Sequence, residues 1–371
     1  MRVAVTGADG FLGRHVSALL RSDHAHEILP VTRDTPPEGL RAALLAADAV
    51  IHLAGVNRPR DESEFTTGNT DFTRTITQVL EDGGRNASVA FASSTRATED
   101  TPYGRSKLAA ESILRDHAAR HGVRVAVFRF PNVFGKWSRP FYNSAVATFC
   151  HSVARDLPVD VHDPARRLTL VYGEDAARAM VEWATDTALT PGGFGFQSAG
   201  PEYEVTLGGL VELIRAFRAM RTTLRVPDLS DAFTRALYGT YVSFLPPEQV
   251  SYALTKHVDE RGALAELLKS PQFGQVFISR TKPGITRGNH FHHTKTEKFV
   301  VVDGEAVIRM RPIDGGGVTE VRVSGDEFRV VDIPTGQTHS ITNVGSTTLV
   351  TLFWASEIFD PQRPDTYFLE V

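Results

Sequence analysis

Short apolar runs alternate with amphipathic stretches through the first half of the chain. Val3–Val5, Ile28–Val31, Ala49–Leu53, Ser88–Ala92 and Val125–Phe130 are brief and largely apolar, as parallel strands buried on both faces should be. Between them, Phe11–Leu20 and Lys107–Ala119 carry apolar residues at helical spacing. This alternation predicts an α/β architecture with a Rossmann-type, doubly wound parallel sheet. The texture changes near residue 245. Pro246-Pro247 marks the break, after which Asp303-Gly304, Gly315-Gly316-Gly317, Ser324-Gly325, Pro334-Thr335-Gly336 and Val344-Gly345 punctuate alternating runs. That rhythm predicts a C-terminal all-β barrel or sandwich. The expected domains are therefore 1–245 and 246–371.

A chain of 371 residues is long enough for two cores. Its net charge of −4 is small and its basic residues are scattered, so nothing is arranged to follow a phosphodiester backbone and no nucleic-acid partner is expected. No run is apolar for the roughly 18 residues a membrane span needs. The opening Met1–Val5 reads as a strand and not as a signal peptide. The single cysteine, Cys150, rules out an intrachain disulfide; within apolar Ala145–Val153 it reads as a buried core thiol. A cytoplasmic protein is expected.

Thr6-Gly7-Ala8-Asp9-Gly10-Phe11-Leu12-Gly13 follows the first strand directly. Its glycines fall three apart in a strand-to-helix turn, where they allow a tight bend and close approach to a dinucleotide pyrophosphate. The second strand ends at Val31-Thr32-Arg33-Asp34. An acidic residue there would bind the ribose 2′-hydroxyl of NAD, whereas Arg33 suits the 2′-phosphate of NADPH. Asp34 beside it leaves a plain solvated arginine as the other reading. Tyr103 and Lys107, four apart, share a helix face. The ammonium is expected to lower the phenol's pKa toward that of a usable acid. Ser93-Ser94, ending the fourth strand, offers a hydroxyl to a reacting carbonyl.

Three histidines crowd into Gly288-Asn289-His290-Phe291-His292-His293, with Glu297 following. In a strand, His290 and His292 face one side and His293 the other. A carboxylate and a distant His339 would complete a site for a divalent transition metal.

The first 240 residues resemble the extended short-chain dehydrogenase/reductase family. Besides the glycine turn and Tyr103/Lys107, they carry His52-Leu53-Ala54-Gly55, Arg129-Phe130-Pro131-Asn132-Val133-Phe134-Gly135 and Val171-Tyr172-Gly173-Glu174-Asp175. The resemblance implies Ser94, Tyr103 and Lys107 as catalytic residues. It implies cofactor contacts at Gly7, Gly10, Phe11, Leu12, Gly13, Arg33, Leu53, Ala54, Gly55, Tyr103, Lys107 and Pro131, and substrate contacts at Asn132 and Lys136. Only eight residues separate Ser94 from Tyr103, fewer than in most members, so Ser93 stands as the alternative serine.

The C-terminal part resembles the cupin family, whose two motifs map onto Gly288, His290, His292, Glu297 and Gly304, then Gly325, Pro334, His339 and Asn343. This implies a divalent metal, with zinc expected, on His290, His292, Glu297 and His339. The two domains in this order, with Phe134-Gly135-Lys136-Trp137 and Pro364-Asp365-Thr366-Tyr367-Phe368, resemble end to end the capsular-polysaccharide bifunctional reductases. That resemblance implies a UDP-2-acetamido-2,6-dideoxy-4-hexulose substrate. The cupin would epimerise the carbon beside the ketone, and NADPH-dependent reduction would then give a UDP-N-acetyl-6-deoxy-L-talosamine, on the way to N-acetyl-L-fucosamine. Both families commonly form homodimers. Two other classes stay open: a 4-ketosugar reductase with a structural or dimerising cupin, and a non-catalytic NADPH or sugar sensor.

Overall fold

The computed structural model describes residues 1–188 and 192–371. Contacts divide it into two compact units, 1–214 with 236–246, and 215–235 with 247–371. The segment 215–235 groups with the second unit because Leu224 O accepts from Lys269 N (2.8 Å) and Val226 N donates to Lys269 O (2.7 Å).

In the first unit, β1 (Arg2–Thr6), α1 (Phe11–Ser22), β2 (Glu27–Val31), α2 (Pro37–Ala46) and β3 (Ala49–His52) alternate. A helical stretch then runs from α3 (Ser63–Phe65) through a π-turn at Thr66–Asp71 into α4 (Phe72–Asp82). Next come β4 (Ser88–Ser94), α5 (Pro102–His121), β5 (Arg124–Phe130), β6 (Asn132–Phe134), α6 (Ala145–Ala154), β7 (Arg167–Tyr172), α7 (Gly173–Thr185), β8 (Gly193–Gln197) and β9 (Glu202–Thr206). Helices α8 (Leu207–Thr223) and α9 (Ala232–Ser243) follow.

The main sheet is wholly parallel, in the order β2-β1-β3-β4-β5-β8. Both of its faces are covered. Val3, Val5, Ile51 and Phe128 join one apolar cluster, while Ala4, Val50, Val89 and Val127 join another. This explains why the strands read as continuous apolar runs rather than alternating ones. The order reverses between β1 and β3, which places a crevice at their carboxyl ends. A smaller sheet, β6-β7-β9, lies beside it in sequence order. Cys150 is fully buried on α6, and burial pushes its thiol pKa up.

The two sheets of the second unit are antiparallel throughout, of the β-barrel, cupin-like class. Its strands are β10 (His257–Asp259), β11 (Gly262–Ser270), β12 (Gly274–Thr281), β13 (Thr286–Phe291), β14 (Glu297–Asp303), β15 (Glu305–Pro312), β16 (Thr319–Ser324), β17 (Val330–Ile333), β18 (Gln337–Asn343), β19 (Leu349–Ala355) and β20 (Tyr367–Phe368). They form two sheets, β10-β11-β12-β19-β14-β17 and β16-β15-β18-β13-β20. Alternate residues such as Leu349, Phe353, Phe299, Ile308 and Ile341 meet in one core, as period-two patterning requires.

The glycine turn is the tightest feature of the first unit. Gly7 has φ +71°, and its N–H and that of Ala8 both donate to Val31 O (2.8 and 3.2 Å). Helix α1 starts so close to this turn that a Cβ on Gly13 would lie 1.9 Å from Gly7 O. Gly13→Ala should therefore displace α1, costing about 1–3 kcal/mol and weakening dinucleotide binding. A thermal unfolding midpoint and a cofactor titration equal to wild type would contradict this.

Candidate active site and metal centre

The expected cofactor residues gather along the carboxyl edge of the parallel sheet. Gly10 is the N-cap of α1 with no side-chain cap, so the first-turn N–H groups of Phe11, Leu12 and Gly13 have no side-chain acceptor. That is the condition for anion binding at a helix start. Arg33 is exposed just beyond β2. Leu53 N and Ala54 N donate to Thr6 Oγ1 (3.2 and 3.3 Å). A Cβ on Gly55 would lie 2.8 Å from Asn69 Oδ1 and 3.1 Å from Lys107 Nζ. Pro131 is half-buried between β5 and β6.

Tyr103 and Lys107 come from the first two turns of α5. Pro102 occupies the first turn and Thr101 Oγ1 caps it, accepting from Gly104 N (3.0 Å). A 3-10 turn at Thr95–Thr98 fills the short connection from Ser94, and Gly104 presses against it, so near Arg96 O and Glu99 O that a Cβ would meet them at 2.4 and 2.3 Å. This tight turn spans the eight residues between Ser94 at the end of β4 and Tyr103 at the start of α5, and Ser94 opposes the rise in the phenol's pKa. Ser94 Oγ also accepts from Arg96 N (3.2 Å). The alternative, Ser93, is engaged elsewhere: its hydroxyl donates to the buried Glu111 Oε1 (2.6 Å).

The electrostatics of the pair differ from expectation. Lys107 is buried and donates to Ala92 O (3.0 Å). Burial raises the Tyr103 pKa, with Ser94 and Arg96 opposing.

The two expected substrate residues differ. Asn132 is exposed and donates to Thr169 O (3.2 Å). Lys136 is half-buried and already paired with Glu174 Oε2 (2.9 Å). The buried His15 ring lies between Glu174 Oε2 (3.1 Å) and Lys136 O (3.0 Å), so this cluster fixes the course of the loop after β6.

In the second unit, His290, His292, Glu297 and His339 converge, each offering one ligand atom within 4.8 Å of the others. The convergence does not come from simple strand alternation. Strand β13 is bulged between Gly288 and His290, Asn289 has φ +58°, and the strand ends at Phe291, one residue before His292. His290 instead sits opposite His339 on β18, and a Cβ on Gly288 would lie 2.7 Å from His339 O. Glu297 Oε2 lies 3.3 Å from His292 Nε2 and 3.1 Å from His339 Nε2. All three atoms are nevertheless buried without a properly directed hydrogen bond. Ligands about 2.0–2.1 Å from a tetrahedral zinc lie at similar mutual separations, so the orphaned donors fit a divalent cation. Burial opposes ionisation of Glu297, but His292 and His339 hold its pKa down to about 2; burial lowers His290 to about 4. His293 is exposed, as expected.

The NAD dependent epimerase/dehydratase family model matches residues 3–193. The chain belongs to this family. A second model, the polysaccharide biosynthesis C-terminal domain, matches residues 257–367. Over its full length the chain is 41% identical to the UDP-2-acetamido-2,6-beta-L-arabino-hexul-4-ose reductase of Pseudomonas aeruginosa, covering 99% of that protein. The crystal structure of the capsular polysaccharide assembling protein CapF from Staphylococcus aureus is similar over all of both chains, with a TM-score of 0.92 and 44% identity. A UDP-glucose 4-epimerase from Thermotoga maritima shares the fold over 66% of this chain and 98% of its own, with a TM-score of 0.55 and 18% identity.

Membership in the epimerase/dehydratase family brings a nicotinamide cofactor, and the glycine turn and open helix start described above suit its pyrophosphate. Among the described residues, no helix is long and apolar enough to cross a membrane. Sequence reading missed two groups beside the Tyr103–Lys107 face. Glu111, the next residue at a spacing of four, is 1% exposed and accepts from Arg129 Nε (2.9 Å) and Nη2 (2.6 Å) as well as Ser93. Asn69 is buried and reaches Val56 O (3.0 Å) and Ser106 Oγ (2.9 Å). The four-residue spacing was the available signal for Glu111; nothing marked Asn69.

Burial lowers the Lys107 pKa from 10.5 to about 8, with Glu111 opposing. The ammonium is therefore complete below about pH 8 and lost as pH rises through it. Because the unfolded lysine keeps its proton to higher pH, holding the charge costs stability at neutral pH, and this cost fades above about pH 8. Nicotinamide-cofactor binding should weaken as pH rises through about 8. Glu111→Gln should move that fall to lower pH and Lys107→Arg should remove it. Fluorescence titrations across pH test this; a flat wild-type profile would show that the Lys107 charge does not support the cofactor.

Proposed function

We propose that this chain is an NADPH-dependent nucleotide-sugar 4-keto reductase whose second unit carries a metal-dependent epimerase, acting on a UDP-2-acetamido-2,6-dideoxy-4-hexulose. The observation that carries the reading is the placement of Ser94 at the end of β4 with Tyr103 and Lys107 in the first turns of α5, along the carboxyl edge of a dinucleotide sheet. The full-length similarity to a hexulose reductase supports this substrate class. Arg33, exposed beyond β2, supports selection of NADPH.

When bound, the nicotinamide supplies hydride to the carbonyl carbon. Tyr103 gives its proton to the carbonyl oxygen, and Ser94 hydrogen-bonds that oxygen as charge develops. Tyr103 then recovers a proton from solvent. Lys107, held by Ala92 O, presents its charge beside Gly55, where the ribose hydroxyls of the cofactor would lie. The product is a secondary alcohol. In the second unit, His290, His292, Glu297 and His339 would hold a divalent cation, zinc by the choice of donors. Such a cation supplies Lewis acidity to an enolate oxygen during proton exchange beside the ketone. Reduction then removes the ketone, so the new configuration can no longer revert by enolisation. A cytoplasmic homodimer is part of this reading.

Arg33→Ala should weaken NADPH about ten- to a hundredfold, the loss of one charge-assisted phosphate contact, and leave NADH nearly unchanged. Equal loss for both cofactors would exclude Arg33 from phosphate recognition.

The two chemistries should separate by mutation. Tyr103→Phe should stop NADPH consumption yet still allow deuterium from solvent to enter beside the ketone. His290→Ala should weaken the metal and stop that exchange, while ketone already epimerised is still reduced. Metal content and thermal midpoint would be measured alongside. Wild-type exchange by metal-free protein would leave the second unit a structural module and the chain a plain reductase.

A further inference from the structure

Two loops of the first unit that follow strand carboxyl ends present arginines to a single ring. Residues 56–62 leave β3 and lead into α3; residues 135–144 leave β6. The Arg58 guanidinium lies 5.6 Å from the Tyr142 ring centroid, and that of Arg139 lies 5.3 Å from the same centroid. All three residues are exposed. Among the described residues, neither arginine makes an ion pair. The nearest acid along the first loop, Asp61, is taken up by the backbone N–H and hydroxyl of Ser63. The ring attracts each guanidinium, but the two like charges have no carboxylate partner, so the pair presents uncompensated positive charge.

The second loop is also held in a costly shape. Trp137 and Phe141, both bulky, have φ +69° and +56°, a conformation that side chains of this size rarely adopt and that tends to occur at ligand clamps. Contacts on both sides maintain it. The Trp137 ring meets His15 (4.9 Å) and Arg14 (4.7 Å) of α1. Phe141 N donates to Thr148 Oγ1 (3.0 Å), and its ring meets His151 (5.4 Å), both from α6. Arg139 and Tyr142 are thus displayed from a pre-shaped segment. The first loop runs on to Phe65, whose ring lies 5.7 Å from that of Tyr103.

We infer that Arg58, Arg139 and Tyr142 form the subsite for the diphosphate of a nucleoside-diphosphate sugar. This rests on the nucleotide-sugar reading above and adds the residues that grip the nucleotide. Two guanidiniums match the two negative charges of a diphosphate, and their planar forks suit phosphate oxygens. The Tyr142 ring contacts both arginines and offers a hydroxyl to the same anion. The dinucleotide's own pyrophosphate belongs at the glycine turn, so cofactor and substrate use separate anion sites.

The probe is UDP alone, titrated calorimetrically against the intact chain, with NADPH titrated in parallel. Arg58→Ala and Arg139→Ala should each weaken UDP about ten- to a hundredfold and leave NADPH binding unchanged. Uridine, which lacks the diphosphate, should bind the variants as it binds wild type. With the keto-sugar, KM should rise by a similar factor while kcat holds. Both side chains are exposed, so the NADPH titration also serves as the check that the variants remain folded. Unchanged UDP affinity in both variants, with wild type binding UDP, overturns the subsite alone. A wild-type chain that binds NADPH but neither UDP nor the keto-sugar overturns the nucleotide-sugar reading with it. Equal loss of UDP and NADPH would place the arginines at the cofactor and also overturn the subsite.

Discussion

A buried chain of hydrogen bonds beneath the cofactor edge holds the first unit's site together. Thr73 Oγ1 donates to Asn69 O (2.7 Å), so it accepts from His52 Nε2 (3.0 Å), and the His52 proton is fixed on that nitrogen. His52 Nδ1 then accepts from Thr6 Oγ1 (2.7 Å), which in turn accepts from Leu53 N and Ala54 N. At the other end, the Asn69 amide reaches Ser106 on α5, whose hydroxyl donates to Tyr103 O (2.8 Å). The glycine turn and the tyrosine helix are thereby tied through side chains that water does not reach. Burial, reinforced by Lys107, lowers the His52 pKa to about 3, so the ring stays neutral and the network keeps one arrangement across the working pH range. In a low dielectric, leaving any member unpaired would cost about 1–3 kcal/mol.

Glu111 is the electrostatic counterpart of that chain. A carboxylate this buried persists only with partners, and Arg129 and Ser93 supply them. The same charge sustains the buried Lys107 ammonium. The strand pair β4–β5, which carries Ser93 and Arg129, and the helix that carries Tyr103 are locked by one carboxylate. The hydroxyl left over, Ser94, accepts from Arg96 N in the turn that leads to α5.

The second unit solves a similar problem with its C-terminal tail. Asp365 accepts from the backbone N–H groups of His293, Thr294 and Lys295 (2.9 Å each), and its carbonyl accepts from His292 Nδ1 (2.6 Å). Lys295, buried, returns a bond to Pro364 O (3.0 Å). The loop that follows the bulged strand is thus stitched to the tail, and His292 is oriented with Nε2 toward Glu297. Outer partners of this kind set the tautomer and direction of a metal-binding histidine.

Local rules carried much of this protein in its sequence. Period-two and continuous apolar runs gave away both sheet types and the glycine turn pointed to the dinucleotide fold, while the Tyr103–Lys107 spacing and the paired histidine motifs singled out the residues of the proposed sites, because each depends on residues close in the chain. What local rules could not give lies in contacts between distant segments. The grouping of 215–235 with the second unit depends on two backbone bonds to Lys269. That Glu111 takes the Ser93 hydroxyl, and that the Lys107 ammonium turns to Ala92 O, are decided by contacts across the fold. Lys136 is drawn to Glu174 from 38 residues away. Asn69 carries no motif, and Asp365 was marked only within the ending Pro364–Phe368; their roles exist only where separate strands and helices meet. A side chain's type fixes the bonds it is able to make, but tertiary packing decides which partner arrives first, since a buried donor or acceptor satisfied by one neighbour is withdrawn from every other.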